Sequence, residues 1–67
     1  MISITINGER QQFEAPLDCA ELLAQLELAG KRVALERNGE IVPRGQLAGQ
    51  RLADGDRLEI VVAVGGG

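Results

Sequence analysis

The first residues of the chain alternate between apolar and polar side chains. Isoleucines stand at positions 2, 4 and 6 with polar residues between them, and this period of two predicts a strand with one apolar face. Asn7-Gly8 follows, the dipeptide most typical of a tight hairpin, because both central positions of that turn need a positive φ. Residues 9–14 are therefore predicted to form the returning strand, with Phe13 as its apolar anchor. Ala15-Pro16 ends that strand because proline cannot donate a ladder hydrogen bond.

The period changes to that of a helix after Pro16. Asp18 stands where an N-cap is needed, and Glu21 three residues later completes the pattern of a capping box. We expect one helix over residues 19–29, ended by Gly30, which accepts a left-handed conformation without steric cost. Its apolar face is predicted to consist of Cys19, Leu22, Leu23, Leu26 and Ala29.

The second half of the chain contains further strand and turn signals. Residues 33–37 and 40–42 are predicted strands joined by the second hairpin signal, Asn38-Gly39, and Pro43 stops the shorter one. We expect residues 44–53 to form a loop with one helical turn, followed by a turn at Asp54-Gly55-Asp56. The apolar anchors of the loop over residues 44–53 are predicted to be Leu47 and Leu52. A final strand is expected over residues 57–64, with Leu58, Ile60, Val62 and Val64 on one face.

The order of these elements predicts an α+β roll of two layers, in which one helix covers one face of a mixed sheet of four to five strands. The first and last strands are the most apolar, so we expect them side by side and parallel at the sheet centre, with the helix in the crossover. Residues 1–64 are expected to form the domain, and residues 65–67 a flexible glycine tail. The sheet face against the helix is predicted to contain Ile2, Ile4, Ile6, Leu58, Ile60 and Val62.

Composition narrows the classes of function. A chain of 67 residues, 45% apolar and 25% charged, has room for one small globular domain. It has no histidine, one cysteine and one aromatic residue, so we expect no catalytic residue, metal site or thiolate cluster. The net charge of −3 argues against a nucleic-acid partner. No apolar run approaches the length of a membrane span or a signal peptide, so we expect a cytoplasmic protein without a membrane partner.

Two side-chain features invite a catalytic interpretation. Cys19 stands in the first turn of the predicted helix, where a thiol pKa is lowered, but it also lies on the apolar face and has no histidine to pair with. We favour core packing over a functional thiol. Asp54 and Asp56 resemble a pair of acid–base or metal-binding carboxylates, but Asp-Gly-Asp is also typical turn chemistry, which we favour.

The three glycines at positions 65–67 are the strongest candidate for function. The alternative is a frayed terminus, which is common. Three extended glycines span about 10 Å, enough to enter the active site of another protein while the folded body stays outside. Without Cβ atoms, Gly65 and Gly66 can pass through a narrow channel. We therefore expect the carboxylate of Gly67 to be the reactive group.

Three stretches of the chain resemble a known family. They are Asn38–Arg44 with Ile-Val-Pro-Arg, Leu52–Ile60 with Asp-Gly-Asp, and Val64–Gly67 with its Gly-Gly ending. Together they resemble the sulfur carrier proteins of thiamine biosynthesis, the ThiS family, which have the β-grasp or ubiquitin-like fold. The resemblance covers essentially the whole chain, with one departure at Leu47, where relatives often have an aromatic residue such as Trp.

The resemblance implies a function in sulfur transfer. An E1-like adenylyltransferase would use ATP and Mg²⁺ to convert the Gly67 carboxylate into an acyl-adenylate. Sulfur from cysteine, delivered by a cysteine desulfurase or a persulfide relay, would displace AMP and leave a thiocarboxylate, which thiazole synthase would accept. The chain would then be a protein co-substrate that binds no cofactor tightly and has no catalytic residue of its own.

The sheet face away from the helix is a candidate docking surface. Val61, Ala63 and Val64 are expected near the tail, and exposed apolar groups beside a reactive tail are typical of an interface. Arg44 and Arg57 are expected either to pair with acidic groups of a partner or to remain solvated.

Three other functions remain open from the sequence. The first is the small sulfur carrier subunit of molybdopterin synthase, which shares the chemistry in another pathway. The second is a ubiquitin-like modifier, whose Gly67 would be joined to a lysine. The third is a small binding module in a chain that continues beyond Gly67, for which the terminal-carboxylate hypothesis would be wrong.

Overall fold

The computed structural model describes residues 1–63. The strands are β1 (Ile2–Ile6), β2 (Glu9–Phe13), β3 (Val33–Arg37), β4 (Glu40–Val42) and β5 (Arg57–Val62). The helix α1 (Cys19–Gln25) lies between β2 and β3, and a 3₁₀ helix (Arg44–Gly49) occupies part of the predicted loop before β5. All five strands, the helix and their order are therefore as predicted.

The strands form one mixed sheet in the order β2-β1-β5-β3-β4. β1 and β5 are parallel, with Thr5 opposite Arg57 and Ile6 opposite Leu58, whereas the other neighbouring strands are antiparallel. The connection between two parallel strands must cross over the sheet, and α1 lies in that crossover. This is the α+β roll with a β-grasp arrangement that the sequence predicted.

Both hairpins have the backbone conformation that their Asn-Gly dipeptides predicted. The φ angles are 49° and 84° at Asn7 and Gly8, and 51° and 88° at Asn38 and Gly39. The asparagine side chains also bond to β5. Asn7 Nδ2 donates to the Ile60 carbonyl at 3.0 Å, Asn7 Oδ1 accepts from the Ile60 N–H at 2.7 Å, and Asn38 Oδ1 accepts from the Arg57 N–H at 2.9 Å.

The core lies between α1 and the sheet face that the alternating pattern predicted, with two exceptions. Ile2 is only half-buried, and Val62 is 39% exposed, so the prediction that Val62 packs in the core is wrong. A helix of seven residues is about 10 Å long, whereas β5 extends over about 20 Å, so α1 does not cover the end of β5. The buried apolar residues are Ile4, Ile6, Phe13, Leu17, Cys19, Leu22, Leu23, Leu35, Val42, Leu52, Leu58 and Ile60.

The helix begins as predicted and ends earlier than predicted. The capping box is present: Asp18 Oδ1 accepts from the Glu21 N–H at 2.7 Å, and Glu21 Oε1 accepts from the Asp18 N–H at 2.9 Å. The predicted end at Ala29 and Gly30 is wrong, because α1 stops at Gln25 and Ala29 is exposed.

A left-handed residue explains the early end of α1. Glu27 has φ 61°; its N–H donates to the Ala24 carbonyl at 3.0 Å, and the Leu28 N–H donates to the Leu23 carbonyl at 2.8 Å. These two bonds form a Schellman motif, in which the left-handed position is usually a glycine. The reversal turns Leu28 onto the core in place of Ala29, so core packing decides where the helix ends.

We expect Glu27→Gly to raise the free energy of unfolding by about 1 kcal/mol, because an L-residue pays a steric penalty at this φ that glycine does not. Urea unfolding monitored by circular dichroism measures this change in the free energy of unfolding. The matched control is Ala24→Gly inside α1, which should lower the free energy of unfolding by about 1 kcal/mol. Equal destabilisation by both substitutions would contradict this account of the helix end.

Candidate functional site

The predicted reactive tail follows β5, and the structure shows how this strand is held. β5 is bonded to β1 on one side and to β3 on the other, and the pairing with β3 extends to Val33 opposite Val62. One residue further, the Ala63 N–H donates to the Arg32 carbonyl at 2.8 Å. The chain is therefore fixed by main-chain hydrogen bonds up to Ala63. Val64, Gly65, Gly66 and Gly67 lie outside the described residues, so their predicted functions stay predictions.

The beginning of β5 is held by a buried charged residue, Asp56, which is 8% exposed. Its Oδ2 atom accepts from Arg37 Nη2 at 2.8 Å and Nε at 3.0 Å, and from the Ala53 N–H at 2.8 Å. Its Oδ1 atom accepts from Asn38 Nδ2 at 3.1 Å. Arg37 Nη1 also donates to Gln50 Oε1 at 3.1 Å, so this network joins β3, the second hairpin and the loop before β5.

These contacts determine how Asp56 titrates. Burial by itself raises the pKa of Asp56, but the hydrogen bonds from Ala53, Asn38 and Arg37, together with the Arg37 charge, outweigh it and hold the pKa below its usual range. A lowered pKa in the folded state means that ionised Asp56 stabilises the fold above the pKa of the unfolded chain. That contribution disappears as the pH falls through the lower pKa of the folded state.

The sequence predicted a turn at Asp54-Gly55-Asp56 and missed this ion pair. The turn is confirmed, and Asp54 Oδ1 accepts from the Ser3 N–H at 2.7 Å, so the first aspartate also connects the turn to β1. Alternation in β3 would have placed Arg37 on the same face as Val33 and Leu35, although it does not identify the partner of Arg37. An inward arginine needs a buried acceptor, and Asp56 is that acceptor.

The structure brings together no cluster of metal ligands in the part that it describes. Among residues 1–63, no three histidine, cysteine or acidic residues are placed so that they could hold a metal ion. Asp56 is committed to Arg37, and Asp54 is bonded to the backbone of β1. The buried carboxylate of Asp56 is therefore not available for a metal or for acid–base chemistry.

Cys19 is a core residue with no exposed surface, as predicted. Burial raises the pKa of its thiol, the Arg37 charge opposes this, and the charges of Asp18 and Asp56 add to it. The helix N-terminus was expected to favour the thiolate, but burial has the larger effect. A buried neutral thiol is a poor nucleophile, so Cys19 belongs to the packing of α1.

The sheet face opposite α1 is uncovered within residues 1–63 and carries two of the three predicted docking residues, Val61 and Ala63. Val61 is 63% exposed, and Ala63 is also exposed. Ala34 lies beside Val61 in the register of β3 and β5 and is exposed too. Arg44 borders the same shallow depression as Val61 and Ala63, whereas Arg57 lies at the opposite end of β5. The structure thus places Val61, Ala63 and Arg44 together, next to the point from which the tail leaves.

The helices in the described part of the chain are short. None of them has both the length and the apolar character needed to cross a bilayer.

Comparisons with known proteins agree with this fold. The family model described as the ThiS family matches residues 4–67. The chain is 35% identical over 66 residues to a sulfur carrier protein, ThiS, of Escherichia coli K12, with 98% of this chain and 100% of that one covered. A crystal structure of a thiamine biosynthesis protein, ThiS, from Geobacter metallireducens has a TM-score of 0.82 and 32% identity, covering 98% of this chain and 100% of the other.

A longer relative contains a segment similar to this chain. A protein of Paramagnetospirillum magneticum named thiazole synthase is 44% identical over 66 residues. The match covers 98% of this chain but only 20% of that protein, so the chain spans about a fifth of this relative's length.

We expect Asp56→Asn to lower the free energy of unfolding at pH 7 by about 2 kcal/mol, because it removes the charge that Arg37 faces and turns an acceptor into a donor. Urea unfolding as a function of pH measures this loss. The gap between the unaltered chain and the variant should begin to narrow below about pH 4, where Asp56 of the unfolded chain becomes protonated. It should close only as the pH falls through the lower pKa of Asp56 in the folded state.

The control for this pH series is Glu14→Gln, a change of the same kind at an exposed residue after β2. Its stability should follow that of the unaltered chain across the whole pH range within about 0.5 kcal/mol. A gap for Asp56→Asn that is equally wide at every pH would contradict the assignment to the ionised carboxylate.

We expect iodoacetamide to alkylate Cys19 of the folded protein at least about a hundredfold more slowly than it alkylates glutathione at the same pH, because reaction requires unfolding. Intact-mass spectrometry follows the adduct. In urea the two rates should become similar. Rapid alkylation of the folded chain would show instead that the thiol is accessible.

Proposed function

The chain belongs to the ThiS family, the sulfur carriers of thiamine biosynthesis, and on this premise we propose that it carries sulfur as a thiocarboxylate on Gly67 for the formation of a thiazole ring. The observation that carries the proposal is the extent of the family match, which continues to Gly67 and so includes the three glycines after β5. The proposal takes the carboxylate of Gly67 as the reactive group.

The proposed chemistry has three steps at that carboxylate. An E1-like adenylyltransferase binds ATP and Mg²⁺, the carboxylate attacks the α-phosphorus, and pyrophosphate leaves. A persulfide formed from cysteine by a cysteine desulfurase or a persulfide relay then attacks the acyl carbon and displaces AMP, which leaves an acyl disulfide. A second thiol of the sulfur donor attacks that disulfide and is itself oxidised to a disulfide, which releases the sulfur on Gly67. The product is a thiocarboxylate whose sulfur passes to thiazole synthase, and we place this exchange in the cytoplasm.

The described residues support a carrier rather than a catalyst. Three side chains invited a catalytic interpretation. Cys19 is fully buried, Asp56 is paired with Arg37, and Asp54 accepts a hydrogen bond from the backbone of β1. β5, by contrast, is bonded on both sides, and the main-chain bonds continue to Ala63. A short tail that starts from a fixed strand has a limited reach, which favours delivery into the active site of a protein docked beside that strand.

Thiazole synthase is the proposed acceptor because of the longer relatives. Two proteins named thiazole synthase, from Paramagnetospirillum magneticum and Magnetococcus marinus, each contain a segment that is 44% or 38% identical to this chain. A carrier segment within the same chain as the named activity keeps the two at a high effective concentration. We infer that this carrier docks on the same class of enzyme.

The experiment is co-expression with the adenylyltransferase and a cysteine desulfurase, followed by intact-mass spectrometry. We expect a mass shift that corresponds to the replacement of one oxygen by sulfur, located at Gly67 by fragmentation. Deletion of Gly67 should abolish the shift, because the proposed acceptor of sulfur is the carboxylate at that position. Cys19→Ala, which leaves the tail unchanged, is the control and should keep the shift.

Three outcomes would contradict the proposal. Sulfur on the deletion variant would place the modification elsewhere, and an isopeptide between Gly67 and a lysine would indicate a modifier. Rescue of a strain that lacks its molybdopterin synthase small subunit, without rescue of a thiamine auxotroph that lacks its sulfur carrier, would assign the chain to the other pathway.

A further inference from the structure

Three rows of exposed side chains cross the uncovered sheet face towards the end of β5. Each row is a pair of neighbours on β5 and β3, and successive rows are two residues apart. The rows are Glu59 with Glu36, Val61 with Ala34, and Ala63 with Arg32. The last row continues the ladder beyond β3, because the Ala63 N–H donates to the Arg32 carbonyl at 2.8 Å. An apolar row therefore lies between an acidic row and a basic row.

The basic row is reinforced by a second cation. Arg44 borders the same shallow depression as Arg32, and no acidic residue of the described chain borders it. Both arginines are exposed, and neither takes part in an ion pair within residues 1–63. The two cations are therefore placed to meet acidic groups of another molecule.

The acidic row places two like charges side by side. Glu36 and Glu59 stand directly opposite each other, which is unfavourable in a sheet. The row beyond them is basic again, since it contains Arg57, with Arg10 on the other side of Thr5. In the described chain neither of these arginines forms an ion pair with either glutamate. Packing within one copy of the domain therefore leaves the two glutamates without a cation in direct contact.

The order of the three rows makes the face complementary to itself. A two-fold axis that crosses the strands at the apolar row places Ala34 and Val61 of one copy over the same residues of a second copy. Glu36 lies about 7 Å from Ala34 on one side of this axis, and Arg32 lies about 7 Å from Ala34 on the other side. Glu36 of each copy then faces Arg32 of the other, and the contact occurs twice because the axis exchanges the two copies.

The same axis keeps the outer arginines apart. Arg57 is four residues from Val61 along β5, so it extends beyond Ala63 of the second copy. It therefore does not meet Arg32 of that copy. A partner of one uniform charge would instead place like charges against either the acidic or the basic row, since the two rows are only about 14 Å apart.

We propose that this face pairs with a second copy of the chain in a symmetric dimer, with Ala34 and Val61 at the axis and Glu36 of each copy against the basic row of the other. Ile41, which is 70% exposed and stands beside Glu36 in the register, is covered at the same time. The dimer thus buries exposed apolar side chains and gives the acidic row the cations that it lacks within one copy.

The dimer is weak because the patch is small. It spans β5, β3 and β4, about 10 Å, and extends from Glu59 to Ala63, about 14 Å. Stable complexes bury about 800 Å² on each partner, well above what such a patch offers. The dimer covers Val61 and Ala63, so a second copy and an enzyme docked at these residues exclude each other. Its formation does not depend on the chemistry proposed for Gly67.

The test measures self-association of the full chain by sedimentation equilibrium. We expect the unaltered chain to dimerise with a dissociation constant below about 1 mM. Arg32→Glu and Glu36→Lys should each raise this constant at least about tenfold, because each change sets like charges against each other at both symmetric contacts.

An equimolar mixture of the two variants tests the symmetry. In a mixed dimer one copy has acidic groups at positions 32 and 36 and the other has basic groups, so both contacts are attractive again. We expect the mixture to dimerise within about threefold of the unaltered chain, although neither variant does so alone. The double variant with both changes should also recover, because the exchange restores opposite charges across the axis.

The controls are Arg51→Glu and Glu14→Lys, the same charge changes at exposed residues outside the patch. Arg51 lies beside the start of α1, and Glu14 follows β2. Each control should change the dissociation constant less than about threefold, because charges far from the contact are screened by salt. Circular dichroism first confirms that every variant is folded.

Three results would overturn the dimer: an unaltered chain that stays monomeric at about 1 mM, single variants that act like their controls, or a mixture that stays monomeric. The dimer and the proposed function fail separately. A monomeric chain that is thiolated at Gly67 retains the proposed function, and a dimeric chain that is never thiolated retains the dimer.

Discussion

The parallel contact between β1 and β5 is the constraint on which the rest of this structure depends. Two parallel neighbours cannot be joined by a tight turn, so the intervening chain must cross one face of the sheet, and α1 covers that face. The same contact places the last strand at the centre, between β1 and β3. The last residues of a small domain are usually its least ordered part. In this chain they come directly after β5, a strand that is hydrogen-bonded to a neighbour on each side.

The central position of β5 is reinforced at its beginning by polar contacts. The ion pair between Arg37 and Asp56 is surrounded by further hydrogen bonds: Asp56 accepts from Asn38 and Ala53, and Arg37 donates to Gln50. These bonds compensate for the cost of removing both charges from water. Asn7 and Asn38 serve two purposes, since each occupies a left-handed turn position and bonds to the backbone of β5. Polar groups thus fix the start of β5, while its other end is left with exposed apolar residues.

The contrast between the fixed start of β5 and its exposed apolar end explains how a small domain with few reactive side chains can serve as a carrier in the proposed function. The chain needs a stable body, a surface that a partner recognises and a terminus that reaches the partner's active site. Its cysteine and its buried aspartate belong to the body. The sheet face that α1 leaves uncovered, where Val61 and Ala63 are exposed beside the end of β5, offers such a surface. Catalysis then belongs to the enzymes that receive the tail.

The sequence by itself determined the elements, their order and the two hairpins, because these depend on short-range signals: alternation in the strands, Asn-Gly at the hairpins and a capping box at α1. The pairing of β3 with β5 was not predicted. Only the tertiary structure decided where α1 ends and what Asp56 binds. The helix stops at Gln25 because the core takes up Leu28, although the periodicity continues to Ala29. Arg37 and Asp56 are 19 positions apart, and no local pattern states that two distant charges will share one buried site.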